Sequence, residues 1–158
     1  MEGALVSAGN FDGGVSSIAE KALGGMYKSG TVPFSGVVGY AEKPAGTGLF
    51  LMDAPGVDNE VVTSLVAGGA NVVVFTTGRG TPAGFPFVPV IKVTGNDRTY
   101  HRMLENMDIN VGAVITGEKT LTEAGEEILK DIFHVASGKL TKAEILKHDE
   151  LFSISRII

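Results

Sequence analysis

The run Phe75-Thr76-Thr77-Gly78-Arg79-Gly80-Thr81-Pro82 places three hydroxyls, two glycines and one guanidinium within a single short segment. That set suits an anion. Threonines donate hydroxyl hydrogen bonds, glycines admit positive φ and close backbone approach, and Arg79 offers a planar fork matched to a carboxylate or phosphate. The run follows Asn71-Val72-Val73-Val74-Phe75, an apolar stretch that reads as a buried strand. In parallel α/β sheets ligands sit outside the carboxyl ends of the strands, where this run falls. The plain alternative is a tight glycine-rich turn carrying a surface arginine.

Three other clusters could join a site. Gly9-Asn10-Phe11-Asp12-Gly13-Gly14 leads toward a helix bearing Glu20 and Lys21, and free N–H groups at a helix start can hold an anion. Its Asn and Asp serve equally well as turn and cap residues. The run lacks the strand-Gly-x-Gly-x-x-Gly-helix order of a dinucleotide site, and no Gly-Lys-Ser/Thr loop occurs, so no nucleotide is expected. Asn106-Met107-Asp108-Ile109-Asn110 offers amides and a carboxylate to a hard cation or a polyhydroxy substrate, with an Asx turn as the alternative. Asp53 ends an apolar stretch and faces the same choice between ligand cleft and turn. His101, His134 and His148 lie far apart without metal-ligand spacing, and no Gly-x-Ser-x-Gly elbow is present.

The elements that must position these groups alternate between strand and helix. Ser17 with Glu20 forms a capping-box pattern ahead of Ile18, Ala22 and Met26, and Gly30 closes that helix. Strands are predicted at 34–40 and 48–52, the latter ending in the Asp53-Ala54-Pro55-Gly56 turn. Asp58 is expected to cap a helix with Val61, Val62, Leu65 and Val66 on its apolar side. Further strands are predicted at 71–76, 89–93, 111–116 and 151–158, and further helices at 96–104, 122–137 and 141–147. Strands separated by helices imply a three-layer α/β domain with a mainly parallel sheet.

At 158 residues the chain suffices for one domain with a core that needs no disulfide or metal. Its 22 glycines are roughly twice ordinary usage and are dispersed, which signals many tight turns. The net charge of -5 and the lack of a Lys/Arg cluster argue against a nucleic-acid surface. Zero cysteines exclude a thiolate nucleophile and fit a cytoplasmic protein. No apolar run approaches the roughly 20 residues of a membrane span. The start Met1-Glu2-Gly3-Ala4-Leu5 has no signal-peptide character and reads as an excised domain with an added methionine.

Taken together, Gly9-Asn10-x-x-Gly13-Gly14-x-Ser16, Glu20-Lys21-Ala22-Leu23-Gly24, Lys28-Ser29-Gly30, the 75–82 run, Pro89-Val90-Ile91-Lys92-Val93, Met107-Asp108-Ile109-Asn110-x-Gly112 and Val135-Ala136-Ser137-Gly138 resemble, in order, the C-terminal domain of the altronate/galactarate dehydratase family. Sulfolactate sulfo-lyase large subunits are relatives of that family. The resemblance spans residues 9 to 145. It implies a Rossmann-like domain of an enzyme that removes water from a sugar acid, with N-terminal and middle regions that are not in this chain. It also implies dependence on a divalent metal, iron or manganese, whose ligands do not map onto this sequence. On this reading Thr76, Thr77, Gly78, Arg79, Gly80, Thr81, Asn10, Asp108 and Asn110 bind substrate, and Lys21 is a candidate base. A homo-oligomer is compatible with this reading. The rival is a non-catalytic module that holds a carboxylate or supports assembly.

Overall fold

A computed structural model describes residues 6, 8–149 and 153–155. The expectations for the first five residues lie outside them, as does most of the 151–158 strand, and Ser153–Ser155 carry no strand assignment. The chain divides into two compact units, Met1–Val37 with Ala45–Leu51, and Val38–Pro44 with Met52–Ile158.

The first unit holds helices α1 (Ala8–Asp12) and α2 (Ile18–Tyr27) and most of the paired strands β1 (Phe34–Val38) and β2 (Leu49–Met52). The glycine-rich run read as the entry to a helix is itself a helical turn. The amides of Gly13 and Val15 return to the carbonyls of Gly9 and Asn10 at 3.2 and 2.9 Å, so the chain itself uses them. Ser17 then caps α2, its hydroxyl accepting from the Glu20 amide at 3.2 Å. The Glu20 carboxylate accepts from the Ser16 hydroxyl and amide at 2.6 and 2.7 Å, and these bonds hold its pKa below the ordinary carboxylate value.

The second unit is built on three parallel strands in the order β3 (Val73–Thr76), β4 (Val90–Thr94) and β5 (Ile109–Asn110). All five residues of β4 are buried, as a central strand covered on both faces requires. On one face Val62 of α3 (Asp58–Ala67), with Val61, Leu65 and Val66 beside it, packs on Val73, Val88 and Val90. On the other, Ile128, Ile132 and Val135 of α6 (Leu121–Ala136) pack on Ile91, Val93 and Ile109. Helix, parallel sheet and helix make three layers, consistent with the Rossmann-like α/β fold expected. Three short helices complete the unit: α4 (Asp97–Arg102), α5 (Ala113–Thr116) and α7 (Lys142–Ile145).

Two local expectations are corrected. The strand predicted at 111–116 is the helical turn α5, preceded by the two-residue β5. The β-branched run there is compatible with either state, but Asn110 decides it: its side-chain oxygen accepts from the Gly112 amide at 2.9 Å and turns the chain out of the sheet. Likewise α3 is capped at Val57 without a side-chain bond, and Asp58 lies inside its first turn with Glu60, where both carboxylates face the positive end of the helix. Among the described residues no helix is long and apolar enough to cross a membrane.

Candidate functional site

A hydrogen-bonded seam joins the carboxyl ends of the three parallel strands. After β3, the Thr77 amide donates to the Val93 carbonyl at 3.0 Å, and the Thr77 hydroxyl accepts from the Gly80 amide at 3.0 Å. The Gly78 carbonyl accepts from the Thr99 hydroxyl at 2.7 Å and from the Asn96 side chain at 3.4 Å. Asn96 itself caps α4, accepting from the Thr99 amide at 3.2 Å. Asp97 in turn accepts from the side chain of Asn110, at the end of β5, at 2.8 Å. The loop at 77–80 is therefore fixed from both sides, and Asn110 is brought to the same edge. Thr76 and Arg79 are exposed, and Arg79 has no hydrogen-bond or ion-pair partner among the described residues. A guanidinium held on a pinned loop with its donors unused is poised to receive an anion.

Gly80 makes this loop possible. Its φ is +81°, and an added Cβ would collide with the Met103 sulfur and lie 3.1 Å from the Thr99 methyl. Gly80→Ala is expected to lose about 1–3 kcal/mol of stability through strain and crowding, readable as a lowered midpoint in urea unfolding.

Beside the loop, Thr81, Pro82 and Ala83 face Val57, Asp58 and Asn59 across a cleft of about 290 Å³. Thr81 is buried, its hydroxyl accepting from the Ala83 amide at 3.2 Å. The segment after β2 thus reaches the arginine loop at residues 57–59. Asp53 is exposed and does not line this cleft.

The sequence reading missed Lys92, which is fully buried at the middle of β4. Its amine lies 3.4 Å from the Pro82 carbonyl, the same oxygen that His148 Nδ1 approaches at 2.9 Å. Burial pushes the Lys92 amine below the ordinary lysine value, the Lys142 charge acts in the same direction, and the Asp108 carboxylate opposes them. The signal was present as a lone lysine inside Val90-Ile91-Lys92-Val93. A folded pKa below the unfolded one means that, between the two, only the unfolded chain binds the proton. Stability then rises with pH through that window, by at most about 1.4 kcal/mol per pH unit. Lys92→Met should remove this rise, measured as urea midpoints from about pH 7 to about pH 10.

Asp108 is placed differently from Asn110. It lies just before β5, and its two carboxylate oxygens accept from the backbone amides of Lys92 and Lys142, both at 2.8 Å. It ties α7 to β4, away from the carboxyl edge. Asn10 and Lys21 belong to the first unit, where Asn10 is half-buried in α1 and Lys21 is exposed on α2. Among the described residues no three His, Asp or Glu side chains gather as a metal ion requires.

Comparison with known proteins converges on one family. Residues 2–158 match the model of the D-galactarate/altronate dehydratase C-terminal domain. The chain is 41% identical over 150 residues to (2R)-sulfolactate sulfo-lyase subunit beta of Chromohalobacter salexigens, covering 94% of this chain and 38% of that protein. It is 43% identical over 133 residues to galactarate dehydratase (L-threo-forming) of Escherichia coli, covering 84% of this chain and 25% of that one. It is 39% identical over 142 residues to altronate dehydratase of Bacillus subtilis, covering 87% and 28%. The chain thus spans 25–38% of the length of these curated relatives. It belongs to the D-galactarate/altronate dehydratase C-terminal domain family.

Proposed function

We propose that this chain is the C-terminal domain of a cytoplasmic hydro-lyase that dehydrates a sugar acid of altronate or galactarate type to a 2-keto-3-deoxy acid, and that the domain holds the substrate carboxylate. The observation that carries this reading is Arg79, a guanidinium without a partner among the described residues on a loop fixed by Thr77, Asn96 and Thr99. Altronate, galactarate and sulfolactate are all 2-hydroxy acids with a leaving group on C3. In each elimination the C2–H bond breaks and its proton passes to a base. The bond from C3 to the leaving group breaks with its electron pair, and the resulting enol tautomerises to a 2-keto acid. Hydroxide leaves as water in the dehydratases, whereas sulfite leaves in the sulfo-lyase. A domain shared by both suits the common half of the reaction, the carboxylate and the C2 proton.

Arg79 would take the carboxylate as a bidentate pair, with Thr76 and the Gly78–Gly80 backbone alongside and Thr77 and Thr81 shaping the loop. Asn110 is assigned a positioning role, since its side chain already bonds Asp97 and the Gly112 amide, and Asp108 a structural one, since its carboxylate bonds the amides of Lys92 and Lys142. Lys21 is retained as the candidate base and Asn10 as a candidate substrate contact, both in the first unit. The iron or manganese ion implied by family resemblance does not fit the described residues of this domain, so its ligands are assigned to the rest of the enzyme.

The test is to assay the complete enzyme for keto-acid formation from altronate, galactarate and sulfolactate with iron(II) or manganese(II). Turnover of one of the sugar acids is expected, with little or none from the 158-residue chain alone. Turnover of sulfolactate alone would move the assignment to the sulfo-lyase. Failure with all three acids would leave the non-catalytic module, and robust turnover by the chain alone would overturn the division of labour.

A further inference from the structure

Among the described residues the first unit has almost no core of its own: only Val6 is buried. Helix α2 is nevertheless strongly two-sided: at about 100° per residue, its six apolar residues from Ile18 to Tyr27 fall in one half, and Glu20, Lys21, Gly24 and Gly25 fall in the other. An amphipathic helix forms in water chiefly by burying its apolar half. Here that half is bare: Leu23 is 53% exposed, Met26 70% and Tyr27 87%. The paired strands add Val37 and Leu51, both more than half exposed. A unit this small does not stabilise itself without a partner surface.

We propose that the apolar half of α2, together with the exposed apolar side chains of β1 and β2, docks the region that precedes this domain in the larger enzyme. One observation selects that occupant over a second copy of the chain. The matched family domain is the C-terminal one and makes up only 25–38% of the curated relatives, so most of each relative lies outside it. A tethered surface meets α2 at an effective concentration in the millimolar range, which a free second copy does not match. The proposal needs the larger enzyme but not its assigned substrate.

Photo-crosslinking in the complete enzyme tests it. p-Benzoylphenylalanine is placed at Tyr27, and separately at Leu23, in protein assembled from equal parts of ¹⁵N-labelled and unlabelled chains. The expected adducts join α2 to peptides of the preceding region. Adducts between labelled and unlabelled copies of residues 8–51, or no adducts from either position, would overturn the proposal. As a second measurement, Leu23→Glu in the complete enzyme should speed amide exchange across residues 18–38 by tenfold or more. Unchanged exchange would contradict a buried α2. The adduct pattern is independent of turnover, so an active enzyme without adducts refutes the docking surface alone, and an inactive one with them refutes the functional reading alone.

Discussion

Arg79→Lys in the complete enzyme is expected to lower kcat/KM for the sugar acid by about 10- to 150-fold while leaving the unfolding midpoint unchanged. The size follows from the chemistry of the contact. A guanidinium meets a carboxylate with two parallel N–H donors, an ammonium with a single point charge, and a charge-assisted hydrogen bond is worth about 1.5–3 kcal/mol. The unchanged stability follows from the geometry, because Arg79 is exposed and has no partner among the described residues, so folding loses nothing with it. Steady-state kinetics on the variant, with urea unfolding alongside, check both halves. Wild-type kinetics would return Arg79 to an ordinary surface charge.

Asp108→Ala is expected to do the reverse, costing about 2–5 kcal/mol of stability with kcat/KM per folded molecule close to wild type. Its carboxylate satisfies the amides of Lys92 on β4 and Lys142 at the start of α7, and removal strands both donors. It also removes the negative charge that opposes the desolvation of the Lys92 amine, which adds to the loss. Asp108→Asn keeps one oxygen acceptor and should lose roughly half as much. Chemical denaturation of the three proteins checks the order. A stable Asp108→Ala variant with impaired turnover would make Asp108 a substrate ligand after all.

The contrast between these two residues shows what the sequence could convey. The layers were legible because apolar residues recur at helical spacing in α3 and α6, run together from Val73 to Phe75 in β3 and fill β4 at Val90, Ile91 and Val93. The arginine loop was legible because its residue types carry their own conformational and hydrogen-bonding demands. β5 and α5 were not, since Val111 to Ile115 suits a strand or a helix, and one side-chain bond from Asn110 made the choice. Asp108 and Asn110 looked like one cluster because they are two residues apart, yet one faces backbone donors 16 and 34 residues away and the other reaches Asp97. The cleft was hidden for the same reason, being formed by residues 57–59 and 81–83. Lys92 reads as an interruption of a strand until burial shows that its amine rests on the Pro82 carbonyl.

Whether the Arg79 loop holds the substrate carboxylate is read most directly from equilibrium binding of a sugar acid and its neutral amide. Calorimetric titration of the complete enzyme in the presence of a chelator, under conditions where no turnover is detected, gives the preference for acid over amide in wild type and in Arg79→Lys. Wild type should favour the acid by about tenfold or more, and the variant should lose most of that preference while its affinity for the amide changes little. An acid preference equally strong in both proteins would mean that the carboxylate is held elsewhere.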